Sequence, residues 1–373
     1  MRYSSQTFCF ALVVGALSAL FATAASAGDA ALQNACFSPA ALAGVPGEEV
    51  AAKGVHTYDA PTKLGDFKPA AAVPNQLRGA IRRVDLPAGE KVIALTFDLC
   101  EQRGEIAGYD GRIIDYLRQQ GVKATFFAGG KWMTSHQART EQLMLDPLFE
   151  IGNHTETHAN LRLVTPAMLR QQVLAPQKVY EDTRAHIAAN QCVASSPKAM
   201  SEIPEQPTVF RFPYGACNDA SMKAVNDAGM LAIQWDVATG DPDPHISATR
   251  IADAILHEAK PGSIIVDHAN GRGWHTAEAL PLAIPKLKAK GYKFVTVSEL
   301  IAMGKPVIAS ECYDRKPGDT NRYDFLWAHR QLNPGQKTPK VAAAHSVRVS
   351  NLKRTKNRTA STKPSPKSAA AGN

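Results

Sequence analysis

Apolar and polar positions switch period along the chain. From Lys91 to about Ile301, short apolar runs alternate with stretches of helical spacing. The runs predict strands at Val92–Asp98, Ala124–Ala128, Phe149–Asn153, Val209–Arg211, Leu231–Val237, Ser263–Asp267 and Phe294–Val297. Between them, Ile113, Ile114 and Leu117 mark one helix face. Leu169, Val173 and Tyr180 mark a second, with Pro176 a possible kink. Ile251, Ile255 and Leu256 mark a third, and Leu280, Ile284 and Leu287 a fourth. Gly121 and Gly291 stand where a helix stops before a strand. Strand alternating with helix predicts an α/β fold with a parallel sheet, open or closed into a barrel, and in both cases the strand C-termini carry the site.

The flanks read differently. Residues 28–90 are rich in Ala, Pro and Gly without a long period, and predict an extended N-terminal arm or a disordered leader. Residues 190–207 break the rhythm as an inserted loop, and residues 305–330 form a C-terminal extension. Arg2, the apolar run Phe8–Ala22 and Ala25-Ser26-Ala27 predict an export signal over 1–27, cleaved before Gly28, and no later stretch has the length and apolarity to span a membrane. The expected location is periplasmic or secreted.

Charge sharpens this division. The formal net charge is +8, but nine Lys and Arg and no acid fall in residues 331–373, so the body is nearly neutral. That tail has almost no large apolar residue and is expected to be disordered. Its expected partner is an anionic envelope surface, since export argues against nucleic acid. Five cysteines remain after Cys9 leaves with the signal, and an oxidising compartment favours disulfides. The expected pairs are Cys192 with Cys217 and Cys36 with Cys312, leaving Cys100 free.

The strand ends collect polar groups. Asp98 closes the first strand, in "LTFDLCE". His154 and His158 follow the third, spaced i, i+4, as two imidazoles facing one divalent ion would be. A zinc-protease reading fails, because Glu156 does not directly follow the first histidine. Arg211 and Tyr214 follow the fourth strand, Asp241 the fifth, and Asp267-His268 the sixth. Together "TFDL", "HTETH", "RFPY", "WDVATGDP" and "VDH" resemble, in order, the motifs of the polysaccharide deacetylases, the carbohydrate esterase family that acts on chitin, chito-oligosaccharides and peptidoglycan.

The resemblance implies a distorted (β/α) barrel of seven strands over residues 91–304 and hydrolysis of N-acetyl groups from an N-acetylated glycan. It implies a divalent metal, zinc with cobalt or nickel as alternatives, on His154 and His158. Asp98 is implied as general base with Arg211 as its partner. The Tyr214 N–H would hold the oxyanion, and His268 would act as general acid oriented by Asp241. The chain departs from the pattern at Leu99, where the family has a second, metal-binding aspartate. Glu101 is the first expected replacement, Asp98 itself the second and Cys100 the third; loss of metal is the fourth reading. Pro242 stands in place of a tryptophan, and Trp274 or Trp132 are candidates for the missing apolar face. Asp267 is expected to orient His268 or to contact Arg272. Rival functions are an O-acetyl esterase or non-sugar amidase with the same chemistry, and a non-catalytic glycan-binding protein.

Overall fold

The computed structural model describes residues 32–194 and 197–332. The expected signal and nearly all of the basic tail lie outside the described residues. Twelve strands occur among the described residues: β1 Ala52–Lys53, β2 Ala80–Asp85, β3 Val92–Leu99, β4 Glu105–Ile106, β5 Ala124–Ala128, β6 Phe149–Asn153, β7 Val209–Phe210, β8 Leu231–Ile233, β9 Val237–Ala238, β10 Ile264–His268, β11 Lys293–Phe294 and β12 Lys305–Ala309. The main sheet runs β12-β2-β8-β7-β6-β5-β3-β10-β9, with β11 on the opening residues of β3. Every pairing in it is parallel except β12 with β2. The curled sheet brings β2 back towards β10: the Val84 N–H donates to the Gly262 carbonyl (2.9 Å), and Arg83 bridges Ser263. The result is a distorted, incompletely closed α/β barrel.

Period-two alternation sorts each strand between two cores. On β3, Val92 and Ala94 face the barrel interior with Phe127, Val209, Ile264 and Val266. Ile93, Leu95, Phe97 and Leu99 face the outer helices, against Ile113, Leu117, Trp132 and Ile284. The helices stand where the spacing predicts them, at Gly111–Gln120, Pro166–Ala189, Ala248–Glu258 and Thr276–Ala289. Gly121 ends the first in a left-handed conformation (φ 59°), which costs glycine nothing sterically. Pro176 is accommodated inside the second.

Three features differ from expectation. The predicted strand Leu231–Val237 is two strands in different parts of the sheet: β8 pairs β2 and β7, whereas β9 pairs β10 at one edge. The apolar run hid a turn at Gln234–Asp236, where the Asp236 carboxylate accepts the Ile264 N–H and the Ser263 hydroxyl (both 3.0 Å). The sheet also takes in β2 from the arm and β12 from the extension, and residues 190–207 carry two short helices. The disulfides are Cys36–Cys192 and Cys217–Cys312, not the expected pairs; each clamps one extension onto the barrel. Cys100 is free, as expected, and it is buried.

Candidate active site

The register aligns the strand C-termini. His268 pairs with Asp98, Leu99 with Ala128, Ala128 with Asn153, and Asn153 with Phe210. One rim therefore receives the residues that follow β3, β6, β7 and β10.

Alternation decides what β3 delivers. Asp98 faces the barrel interior; Leu99 faces the helices and is fully buried in their core. Continuing the pattern, Cys100 returns to the rim and Glu101 goes outward. Its carboxylate is fully buried, outside the group formed by Cys100, His154 and His158. It meets Lys131 Nζ (3.0 Å), the Ser135 hydroxyl (2.8 Å) and the Ala107 N–H (2.9 Å). This corrects the expectation that Glu101 replaces the missing ligand: its Oε1 faces the buried Lys131, its Oε2 accepts from Ser135 and Ala107, and two residues beyond Leu99 is the same face as Leu99. The third choice, Cys100, is the residue brought in. Ligand atoms of Cys100, His154 and His158 lie within 4.8 Å of one another.

The loop after β6 is shaped to present both imidazoles. Asn153 accepts the Thr155 N–H (2.9 Å) and donates to the Val173 carbonyl (2.9 Å). Gln172 accepts the Thr157 N–H (3.0 Å). Thr155 and His158 adopt left-handed φ values of 66° and 55°, uncommon for residues with a side chain and found where a site imposes them. His154 Nδ1 lies 2.8 Å from the Arg211 carbonyl, which can only accept, so that nitrogen carries the proton. Nε2 then offers its lone pair to the rim, buried and without a hydrogen-bond partner. Such an arrangement suits a metal-binding imidazole, its tautomer fixed by the far nitrogen. Two imidazoles and a thiol are a donor set that suits zinc.

Arg211 is fully buried. Its Nη1 donates to Asp98 Oδ1 (2.9 Å), and its guanidinium lies 4.1 Å from the Phe127 ring centre. The other Asp98 oxygen is 3.6 Å from His154 Nε2. Burial pushes the Asp98 carboxyl up, but its electropositive surroundings, the hydrogen-bonded Arg211 guanidinium among them, more than offset it, and it is held below its ordinary value. Tyr214 sits in the turn Pro213–Gly215 at φ 63°, with its ring edge-on to His158 (centres 4.5 Å apart).

Across the rim, His268 Nδ1 meets Asp241 Oδ1 at 2.9 Å. The His268 N–H (2.6 Å) and the Thr276 hydroxyl (2.8 Å) donate to Oδ2. Burial disfavours the imidazolium, yet Asp241 outweighs it and His268 is raised above its ordinary value. Asp267 is fully buried and contacts neither candidate partner directly: it accepts from the Thr239 hydroxyl (2.6 Å), while Arg272 donates to Glu105 (2.5 Å). Burial, then the like charge of Asp241, pushes the Asp267 carboxyl well above the ordinary range. Trp132 is fully buried, its indole N–H on the Gly108 carbonyl (3.1 Å), whereas Trp274 is 53% exposed.

The site thus gathers Asp98, Cys100, His154, His158, Arg211, Tyr214, Asp241 and His268, and excludes Glu101. Lys131, Thr239 and Thr276 escaped the sequence reading. A lysine in the apolar "AGGKWM" was the one available signal for the first; the two threonines carried none.

The profile of the polysaccharide deacetylase family matches residues 85–233. A peptidoglycan-N-acetylglucosamine deacetylase of Bacillus cereus is 30% identical over 219 residues, covering 58% of this chain and 91% of that protein. A chitooligosaccharide deacetylase of Azorhizobium caulinodans is 29% identical over 193 residues, 48% of this chain and 82% of the other. Among solved structures, the family 4 carbohydrate esterase (CE4) pseudoenzyme BA3943 of Bacillus anthracis is 26% identical, covers 65% of this chain and 73% of its own, and superposes with a TM-score of 0.48.

Proposed function

The chain belongs to the polysaccharide deacetylase family, and on that premise we propose that it hydrolyses N-acetyl groups of a peptidoglycan- or chitin-like glycan, releasing acetate. The observation that carries the reading is the convergence of Cys100, His154 and His158, with a buried His154 lone pair aimed at the space between them. These three residues would hold a divalent ion, zinc by donor type with cobalt or nickel as alternatives. When bound, it would supply polarisation of the acetamide carbonyl and a lowered pKa for water.

The chain's own residues do the rest. Asp98, kept ionised and oriented by Arg211, accepts a proton from the attacking water. The Tyr214 N–H is the proposed donor to the oxygen that becomes negative as the carbonyl carbon turns tetrahedral. His268, its Nδ1 held by Asp241, gives a proton from Nε2 to the departing amine nitrogen as the C–N bond breaks. One water is consumed, and acetate and a free amine result. Trp274 offers an exposed apolar face on the loop that follows His268.

The loss of an aspartate at Leu99 favours a second reading, a glycan-binding protein without turnover. Acetate release decides between them, measured on peptidoglycan, chito-oligomers and acetylated xylan with His154→Ala as control. Release from the first two, lost in the variant, supports N-deacetylation. Release from xylan alone would mean an O-acetyl esterase, and no release would favour the binding protein. A cell-wall glycan lies outside the cytoplasm. Two disulfides fit that location, as does the export signal expected over 1–27. Among the described residues no helix is long and apolar enough to cross a membrane. Attraction of the basic tail to an anionic envelope surface is part of the same proposal.

A further inference from the structure

Asn270 stands two residues beyond His268, as Cys100 stands two residues beyond Asp98. His268 pairs with Asp98, and the ladder continues for one more step, with the Ala269 N–H donating to the Asp98 carbonyl (3.3 Å). The next residue, Asn270, is fully buried. Its backbone is held by the loop that follows β4. The Asp110 N–H donates to the Ala269 carbonyl (2.8 Å), and the Gly108 N–H donates to the Asn270 carbonyl (3.0 Å). Gly271 follows at φ 76°, with no room for a Cβ beside the Glu49 carbonyl.

That frame sets the Asn270 amide on Cys100 at two points. Nδ2 donates to the Cys100 carbonyl (2.6 Å) and to Sγ (3.1 Å). The carbonyl can only accept, so the amide cannot be turned end for end without setting two acceptors against each other. The amide oxygen, Oδ1, is buried with no hydrogen-bond partner. Burying an acceptor unpaired is unfavourable. An apolar side chain of the same shape would fill the space without that cost; the amide adds a donor aimed at Cys100.

A cysteine side chain can take any of the staggered positions about its Cα–Cβ bond. A donor anchored on the residue's own carbonyl and touching its sulfur selects one of them. In that one, Sγ lies within 4.8 Å of the ligand atoms of His154 and His158. We infer that Asn270 is a positioning residue for the metal site: it holds the Cys100 sulfur towards the two imidazoles, so that a divalent ion meets a preset group of ligands and not a thiol free to rotate. The inference rests on the thiol-ligand reading proposed above. One segment then serves both halves of the site, with His268 for the departing amine and Asn270 for the sulfur.

The test uses the full chain, stripped of metal and titrated with cobalt(II), with zinc affinity read from displacement of the cobalt. Sulfur bound to cobalt gives a ligand-to-metal charge-transfer absorption that imidazole and water do not. Asn270→Leu keeps the branched shape and removes the donor. Asn270→Ala is the second variant, should the larger side chain impair folding as read from the melting of metal-free protein. Either should weaken zinc binding about tenfold to a hundredfold, the usual cost of losing a partner that orients a metal ligand, and should diminish the charge-transfer absorption per bound cobalt. Wild-type affinity and absorption in a folded variant overturn the inference. So does weaker affinity with unaltered absorption, which would mark a role in loop folding only. Cys100→Ala separates the two readings. If it abolishes the absorption while the Asn270 variants leave it intact, thiol ligation stands and the positioning role alone falls. If the wild type binds no cobalt, or binds it without this absorption, thiol ligation fails and the positioning role with it.

Discussion

Replacing Arg211 with Met keeps an unbranched side chain in place but removes the guanidinium, and with it the charge, the donors and the packing over Phe127. In the wild type, Nη1 sits 2.9 Å from Asp98 Oδ1, and both groups are shut off from solvent. Removing one partner of a buried pair costs about 3–5 kcal/mol, because the other charge stays buried without compensation. The loss should appear in urea unfolding at pH 7 of metal-stripped protein. Its pH dependence has a definite sign. Asp98 is held below its ordinary value when folded, so its contribution is fully present above the unfolded-state value and is lost as pH falls through the folded one. Arg211→Met should therefore be most destabilising at neutral pH, and the difference from wild type should shrink in acid, where a protonated Asp98 no longer needs the guanidinium. The acid limb of the pH–rate profile should move to higher pH as the base becomes harder to ionise. A variant within 1 kcal/mol of wild type at pH 7, with an unmoved acid limb, would refute the paired-charge description.

Two other perturbations address the frame. Asp267 is buried with its folded value raised, so the wild type loses stability as pH climbs above the ordinary carboxylate range. Asp267→Asn should raise the melting temperature more at pH 8 than at pH 5; an equal shift at both would show that its charge is irrelevant. Cys312→Ser opens a crosslink spanning 95 residues and should cost about 2–4 kcal/mol. A melting temperature equal to that of wild type would contradict the clamp assigned to that disulfide.

Much of this site was legible because strand ends announce themselves. An apolar run that stops on Asp98, and others that stop just before His154, Arg211 and His268, place polar groups on one rim whatever the closure of the barrel. Alternation could also have settled the question raised by Leu99. Asp98 inward and Leu99 outward leave Cys100 inward and Glu101 outward, and Lys131 then claims Glu101. Chemical habit, which expects a carboxylate to replace a carboxylate, ran against that geometry. Other features had no local signal. β8 and β9 share one apolar run, and only long-range pairing sends them to different parts of the sheet. The disulfide partners and the stacking of Tyr323 on Tyr214 depend on how the extensions wrap the barrel, which short-range spacing does not encode.

The central proposal is that a thiol stands in for a carboxylate at the metal. Metal content per chain, measured by plasma mass spectrometry after zinc loading and desalting, tests it directly when wild type, Cys100→Ala and Glu101→Gln are compared. The account predicts one zinc in the wild type and in Glu101→Gln, and little or none in Cys100→Ala. Full zinc in Cys100→Ala with loss from Glu101→Gln would contradict it.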